Sequence, residues 1–163
     1  MNNNKTTKNN MAPDDFCPVY MNPLRIIHEK SMQKRLRCDR FSLISQICVG
    51  GVIYHMLGLQ FQSPTVDMYM DGESYIKLAE NPQKYMIELE PFSIMEDYVE
   101  EGKNPYPVIG VGDIRLYCMH YTSCKEAMEA WKRRSKRMDF NKCMAIATEW
   151  DLGYDENLIA RFL

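Results

Sequence analysis

Apolar and polar positions change period several times along the chain, and each change marks an element. Phe41-Ser42-Leu43-Ile44 reads as a buried strand. Ser45 and Gln46 then make a tight polar elbow, and a short helix opens on Gly50-Gly51 and stops at Gly58. Residues 66–70 alternate like a short strand, and Asp71 is placed to cap a helix from Gly72 to about residue 79. Pro82 begins a second helical piece reaching about residue 89. Residues 90–104 are acidic and weakly patterned, which predicts a surface excursion. Two apolar runs, 107–111 and 114–121, flank Gly112-Asp113 and predict a hairpin.

Ser123 and Glu126 fit a capping box, opening a helix to about residue 138 with Ala127, Ala130, Trp131 and Arg134 on one side. Residues 143–147 read as another buried strand, ending near Glu149-Trp150-Asp151. Residues 155–162 form a last amphipathic helix with Leu158, Ile159 and Phe162 inward. Ahead of all this, Pro23 opens a helix to about residue 37 that is basic, with a thin apolar stripe. Its charge suits a solvated face; peripheral contact with a membrane surface or a phosphate-bearing ligand is the functional alternative. Strands alternating with helices predict one α/β domain over residues 21–163, three layers deep, with helices on both faces of a central sheet. The Gly-Asp hairpin makes that sheet mixed. Residues 1–20, rich in Asn, Lys and Thr, predict a disordered leader.

Composition narrows the classes. The 163 residues suffice for one domain with a core, and a net charge of −2 gives no global field for nucleic acid. No run approaches the ~18 apolar residues of a membrane span, and the N-terminus lacks the apolar core of a secretion signal, so the expected setting is cytoplasmic. Six cysteines include no C-x-x-C pair, which predicts free thiols rather than a disulfide framework. No P-loop or dinucleotide fingerprint is present, and no cofactor is expected. Cys118, His120 and Cys124 could sketch a metal site, but their spacing matches no zinc pattern, and none is expected.

Several separate motifs carry a resemblance. Ile44-Ser45-x-x-Cys48-x-Gly50-Gly51 is followed by Tyr54, Leu57-Gly58-Leu59 and Ser63-Pro64-Thr65-Val66. Later come Gly112-Asp113-Ile114, His120-Tyr121, Ala130-Trp131 with Arg133, Arg134 and Arg137, and Glu149-Trp150-Asp151. Together they resemble an uncharacterised bacterial family known as domain of unknown function nineteen-nineteen. The resemblance covers about residues 35–163. It implies a three-layer α/β fold and an association with exopolysaccharide or capsule biosynthesis. Two departures bear on that. The family usually carries Ser-Asn-Asn-Cys-Trp-Gly-Gly at the elbow, where this chain has Gln46, Ile47 and Val49 in place of the two Asn and the Trp. Members also continue beyond the point reached at Leu163, so a shortened end, or one completed by a partner, is expected here.

Ligands of open α/β sheets sit beyond the carboxyl ends of the strands. The elbow, His120 and Asp151 lie at three such ends. If those strands are neighbours, Cys48 is a nucleophile, His120 its base and Asp151 the orienter, with the thiol pKa lowered by the helix start and the imidazole. The milder reading is binding without covalent chemistry. The Gly50 and Gly51 amides would hold the diphosphate of a nucleotide sugar. Ser45, Ser63, Thr65 and Asp151 would take glycan hydroxyls, and Arg134 a phosphate. Two functions follow: a protein that binds or transfers an activated sugar, as a sugar- or acyl-group transferase, or a non-catalytic accessory or partner-binding protein of the same pathway, a degenerate copy of the family. Oligomeric state is not legible.

Overall fold

The computed structural model describes residues 23–36, 40–102 and 104–163. The expected leader lies outside the described residues, as do Cys17 and Cys38. The first helix, α1 (Pro23–Leu36), precedes the strand β1 (Ser42–Ser45) and the helix α2 (Val49–Met56). Then come α3 (Gly72–Glu80), a single π-helical turn at Lys84–Glu88, and the strands β2 (Pro91–Tyr98), β3 (Tyr106–Val111) and β4 (Ile114–Tyr117). The chain closes with α4 (Cys124–Ser135), a 3-10 turn at Phe140–Lys142, β5 (Cys143–Ile146) and α5 (Glu156–Phe162).

The fold is α/β with a mixed strand system. β1 and β5 pair in parallel, Ser42 opposite Cys143 and Ser45 opposite Ile146. β2, β3 and β4 form an antiparallel triple in that order. A short segment joins the two. Tyr69 exchanges both backbone hydrogen bonds with Tyr117 at the end of β4, at 2.9 and 2.7 Å. The next residue, Met70, donates its N–H to Gln46 O and accepts Gln46 Nε2–H, beyond the end of β1. The alternation expected over residues 66–70 is therefore a one-pair bridge rather than a strand.

Two other expectations change. Residues 91–98 form a strand, not an excursion. β2 is an edge strand whose side chains from Phe92 to Asp97 are all exposed, so no in-and-out alternation marks it. β4 stops at Tyr117: the Cys118 N–H makes the last ladder bond, to Pro107 O, Pro107 has no N–H to return, and the Tyr121 N–H then donates to Cys118 O in a turn. His120 is thus in the turn after the strand. The caps fall where the sequence places them. Asp71 accepts the Ser74 N–H at 2.8 Å, and Ser123 accepts that of Glu126 at 3.2 Å.

The main core gathers Met68, Tyr75, Ile76, Ile109, Leu116 and Trp131, among others, between α3, α4 and the antiparallel strands. A smaller cluster of Phe41, Leu43, Tyr54, Leu57 and Val66 lies around β1 and α2. β3 is buried along its whole length, so both of its faces are covered.

Candidate functional site

The elbow is built by close backbone approach. Cys48 stands at the cap position of α2 with helical φ and ψ of −63° and −3°. Ser45, wholly buried, accepts the Gly50 N–H on its Oγ at 3.2 Å and donates that hydroxyl to Ile47 O at 2.8 Å. A Cβ on Gly50 would lie 2.6 Å from Ser45 Oγ, and one on Gly51 2.9 Å from Val66 Cγ1. The two glycines let α2 press against the end of β1 and the 63–66 loop. Thr65 Oγ1 accepts the Ser45 N–H and pairs with Ser63 Oγ at 3.1 Å.

These contacts correct part of the binding reading. Ser45, Ser63 and Thr65 are buried and spend their hydroxyls on one another and on the backbone. They shape the elbow from behind, out of reach of a ligand. The Gly50 amide is likewise taken by Ser45.

What the elbow presents outward is Cys48, and the structure sets it beside His120, with Sγ 3.6 Å from Nε2. The two come from different halves of the strand system, Cys48 after β1 and His120 after β4. The thiol pKa moves against expectation. Burial raises it, and the nearby Asp67 carboxylate raises it further. The resting group is a neutral thiol, not a thiolate primed by the helix start.

Asp67 is the residue the sequence reading missed. Its backbone is left-handed, with φ of +63°, a conformation non-glycine residues adopt mainly when the surroundings enforce it. Its carboxylate faces Arg134. That guanidinium is 0% exposed. It donates to Val66 O and, at 2.9 Å, to the Tyr121 hydroxyl, and its Nη2 lies 3.5 Å from Asp67 Oδ2. It also lies over the Phe61 ring, 5.3 Å from the centroid. Arg134 therefore cannot take a ligand phosphate. Buried on the apolar side of α4, it ties together the residue beside His120 and the carboxylate near Cys48. An arginine on the inward face of a predicted helix was the available signal.

Asp151 makes no hydrogen bond to His120 among the described residues. Its Oδ2 accepts the Thr148 N–H at 2.9 Å, and its own N–H goes to Thr148 Oγ1. The expected orienter caps its own turn instead. It does stand near the elbow, sharing a hollow of about 310 Å³ with Gln46, Ile47, Tyr69 and Trp150. Trp150 is 68% exposed there. Gln46 spends its amide N–H on Met70 O, while its buried Oε1 has no partner among the described residues.

Among the described residues no group of three His, Cys, Asp or Glu side chains could hold a metal ion. Cys118 and Cys124 are buried and direct their thiols at backbone carbonyls. Burial pushes the Cys118 thiol up to about 12. No described helix is long and apolar enough to cross a membrane.

The chain is 30% identical over 127 residues to an uncharacterized protein of Haemophilus influenzae, an alignment covering 78% of this chain. It spans 58% of that relative's length. From residue 20 to residue 163 the sequence matches the family model for the domain of unknown function DUF1919, and the chain belongs to that family.

Proposed function

We propose that this protein is a thiol-dependent acyl-transfer enzyme acting on a sugar, in the cytoplasmic stage of surface-polysaccharide synthesis. The observation that carries the reading is the exposed contact between Cys48 Sγ and His120 Nε2. A thiol beside an imidazole suits attack on an acyl carbonyl; glycosyl transfer through a covalent intermediate ordinarily uses a carboxylate. The sugar assignment draws on the family resemblance and on the hollow beside the elbow. Its exposed Trp150, with Tyr69, offers an apolar face for a sugar ring, and Asp151 a carboxylate for hydroxyls. The cytoplasmic setting is supported by the free cysteines among the described residues, Cys48, Cys118, Cys124 and Cys143.

A thiol whose pKa is raised by burial and Asp67 suits transfer of its proton to the imidazole during attack. Cys48 Sγ attacks the carbonyl carbon of an ester or thioester donor while its proton passes to His120 Nε2. The bond from the acyl carbon to the leaving alcohol or thiol breaks, and the leaving group takes that proton. A sugar hydroxyl then attacks the Cys48 thioester and gives its proton to Nε2. The carbon–sulfur bond breaks, and the thiolate recovers the proton.

Incubation with p-nitrophenyl acetate followed by peptide mass spectrometry tests this. The expected result is a single acetyl group on Cys48, formed about 10² to 10⁴ times more slowly in His120→Ala. Absence of a Cys48 adduct, or an unchanged rate in the His120 variant, sinks the covalent reading. The second reading, a sugar-binding accessory protein without turnover, is favoured by the protonated thiol and the occupied Gly50 amide. It predicts saccharide binding that survives Cys48→Ala with no acetyl-enzyme in the wild type.

A further inference from the structure

A second hollow lies away from the reactive pair. It measures about 670 Å³ and sits where β1 begins, beside Ser42, whereas Cys48 lies beyond the end of that strand. About 10 Å of strand separates the two. Arg40, Lys136 and Arg137 line it, opposed by the single carboxylate of Asp139. Gln60, Gln62 and Asn141 add side-chain amides.

Three observations show that the hollow is a built feature. Arg137, just beyond the end of α4, donates Nη1–H to Phe61 O at 3.2 Å, which holds its guanidinium at the wall. The Asp139 N–H donates to Ser42 Oγ at 2.9 Å, so the loop after α4 is fastened to the first residue of β1. The Asp139 carboxylate accepts the Asn141 N–H and is thereby engaged locally. Among the described lining residues three side chains are cationic and one is anionic, so the lining carries a positive balance in a chain whose net charge is −2.

From this we infer a second ligand site, one that takes a phosphate-bearing small molecule. The charge is of the right sign, and guanidinium groups match phosphate oxygens in pairs. The volume lies in the range of small-molecule sites. Side-chain amides can donate to phosphate oxygens and can also meet hydroxyls or a base edge. The site is independent of the acyl-transfer proposal, because its lining includes neither Cys48 nor His120 nor any residue of the hollow beside the elbow.

Isothermal titration of the full chain tests it with four probes: inorganic pyrophosphate, glucose 1-phosphate, uridine diphosphate and UDP-glucose. Uridine and glucose are the controls. The expected result is binding of at least one phosphorylated probe and of neither control. Lys136→Glu combined with Arg137→Gln should weaken it by about a hundredfold, roughly tenfold for each cation removed. Cys48→Ala should leave it unchanged. Equal binding of pyrophosphate and the larger probes would assign the site to phosphate alone; tighter binding of one ester names the source. The inference is overturned if no phosphorylated probe binds, or if binding ignores both the double variant and added salt. Circular dichroism of the double variant guards against loss through misfolding, and Lys136→Glu alone, at an exposed position, gives the same direction without touching the Arg137 contact.

Discussion

At the level of single residues, one carboxylate adds to what burial does to the thiol. Burial raises the Cys48 pKa and the Asp67 carboxylate raises it further, from a backbone conformation that Asn tolerates nearly as well as any residue but Gly. Asp67→Asn should therefore keep the loop and remove the charge. The Cys48 pKa then falls, and alkylation by iodoacetamide near pH 8 speeds up severalfold. Peptide mapping separates Cys48 from the more buried Cys118 and Cys124. Alkylation that is unchanged, or slower, would show that Asp67 does not govern the thiol. The sequence pointed to Cys48 and His120 because each stands at a polar interruption after an apolar run. It could not point to Asp67, whose role depends on an arginine 67 positions away. Nor could it reject Arg134 as a phosphate ligand, since a basic residue on a helix signals charge but not accessibility.

At the level of elements, the helix after the elbow is fastened by contact rather than by a side-chain cap. Cys48 makes no capping hydrogen bond at the start of α2. The packing of Gly50 on Ser45 takes that place. Gly50→Ala sets a methyl group 2.6 Å from a buried oxygen that is itself committed to two bonds. Overpacking of this kind costs about 1–3 kcal/mol, which urea unfolding should report as a lower midpoint with an unchanged slope. An Ala variant of wild-type stability would mean that the elbow has slack. Here the sequence was informative. Gly50, Gly51 and Gly58 marked both ends of α2, and Asp71 and Ser123 marked the starts of α3 and α4. β2 escaped because an edge strand exposed on successive residues has no period to detect. The hairpin register was legible from Gly112, whose φ of +59° the turn requires.

For the molecule as a whole, paired carboxylates contribute to the loss of stability in acid. Tyr85 and Lys77 hold Asp113 down to about 2, and Arg161 holds Glu80 below its ordinary value. Both folded pKa values are depressed, so the unfolded chain binds protons more readily as the pH drops. Stability is fully present above the ordinary carboxylate range near 4 and is lost as the pH falls toward 2. Both side chains are exposed to solvent, so the effect is modest and weakens with salt. The melting temperature should fall between pH 5 and pH 2.5, and Asp113→Asn should flatten that decline. A slope identical to wild type would remove Asp113 from the account.

The Tyr69–Met70 bridge has one more consequence. Cys48 rides on the parallel half of the strand system and His120 on the antiparallel half, and this two-residue seam runs between them. The sulfur-to-nitrogen gap is thus a gauge of how the halves sit against each other. A substrate that draws thiol and imidazole together must also tighten the seam, and slowed amide exchange at Tyr69 and Tyr117 would record it.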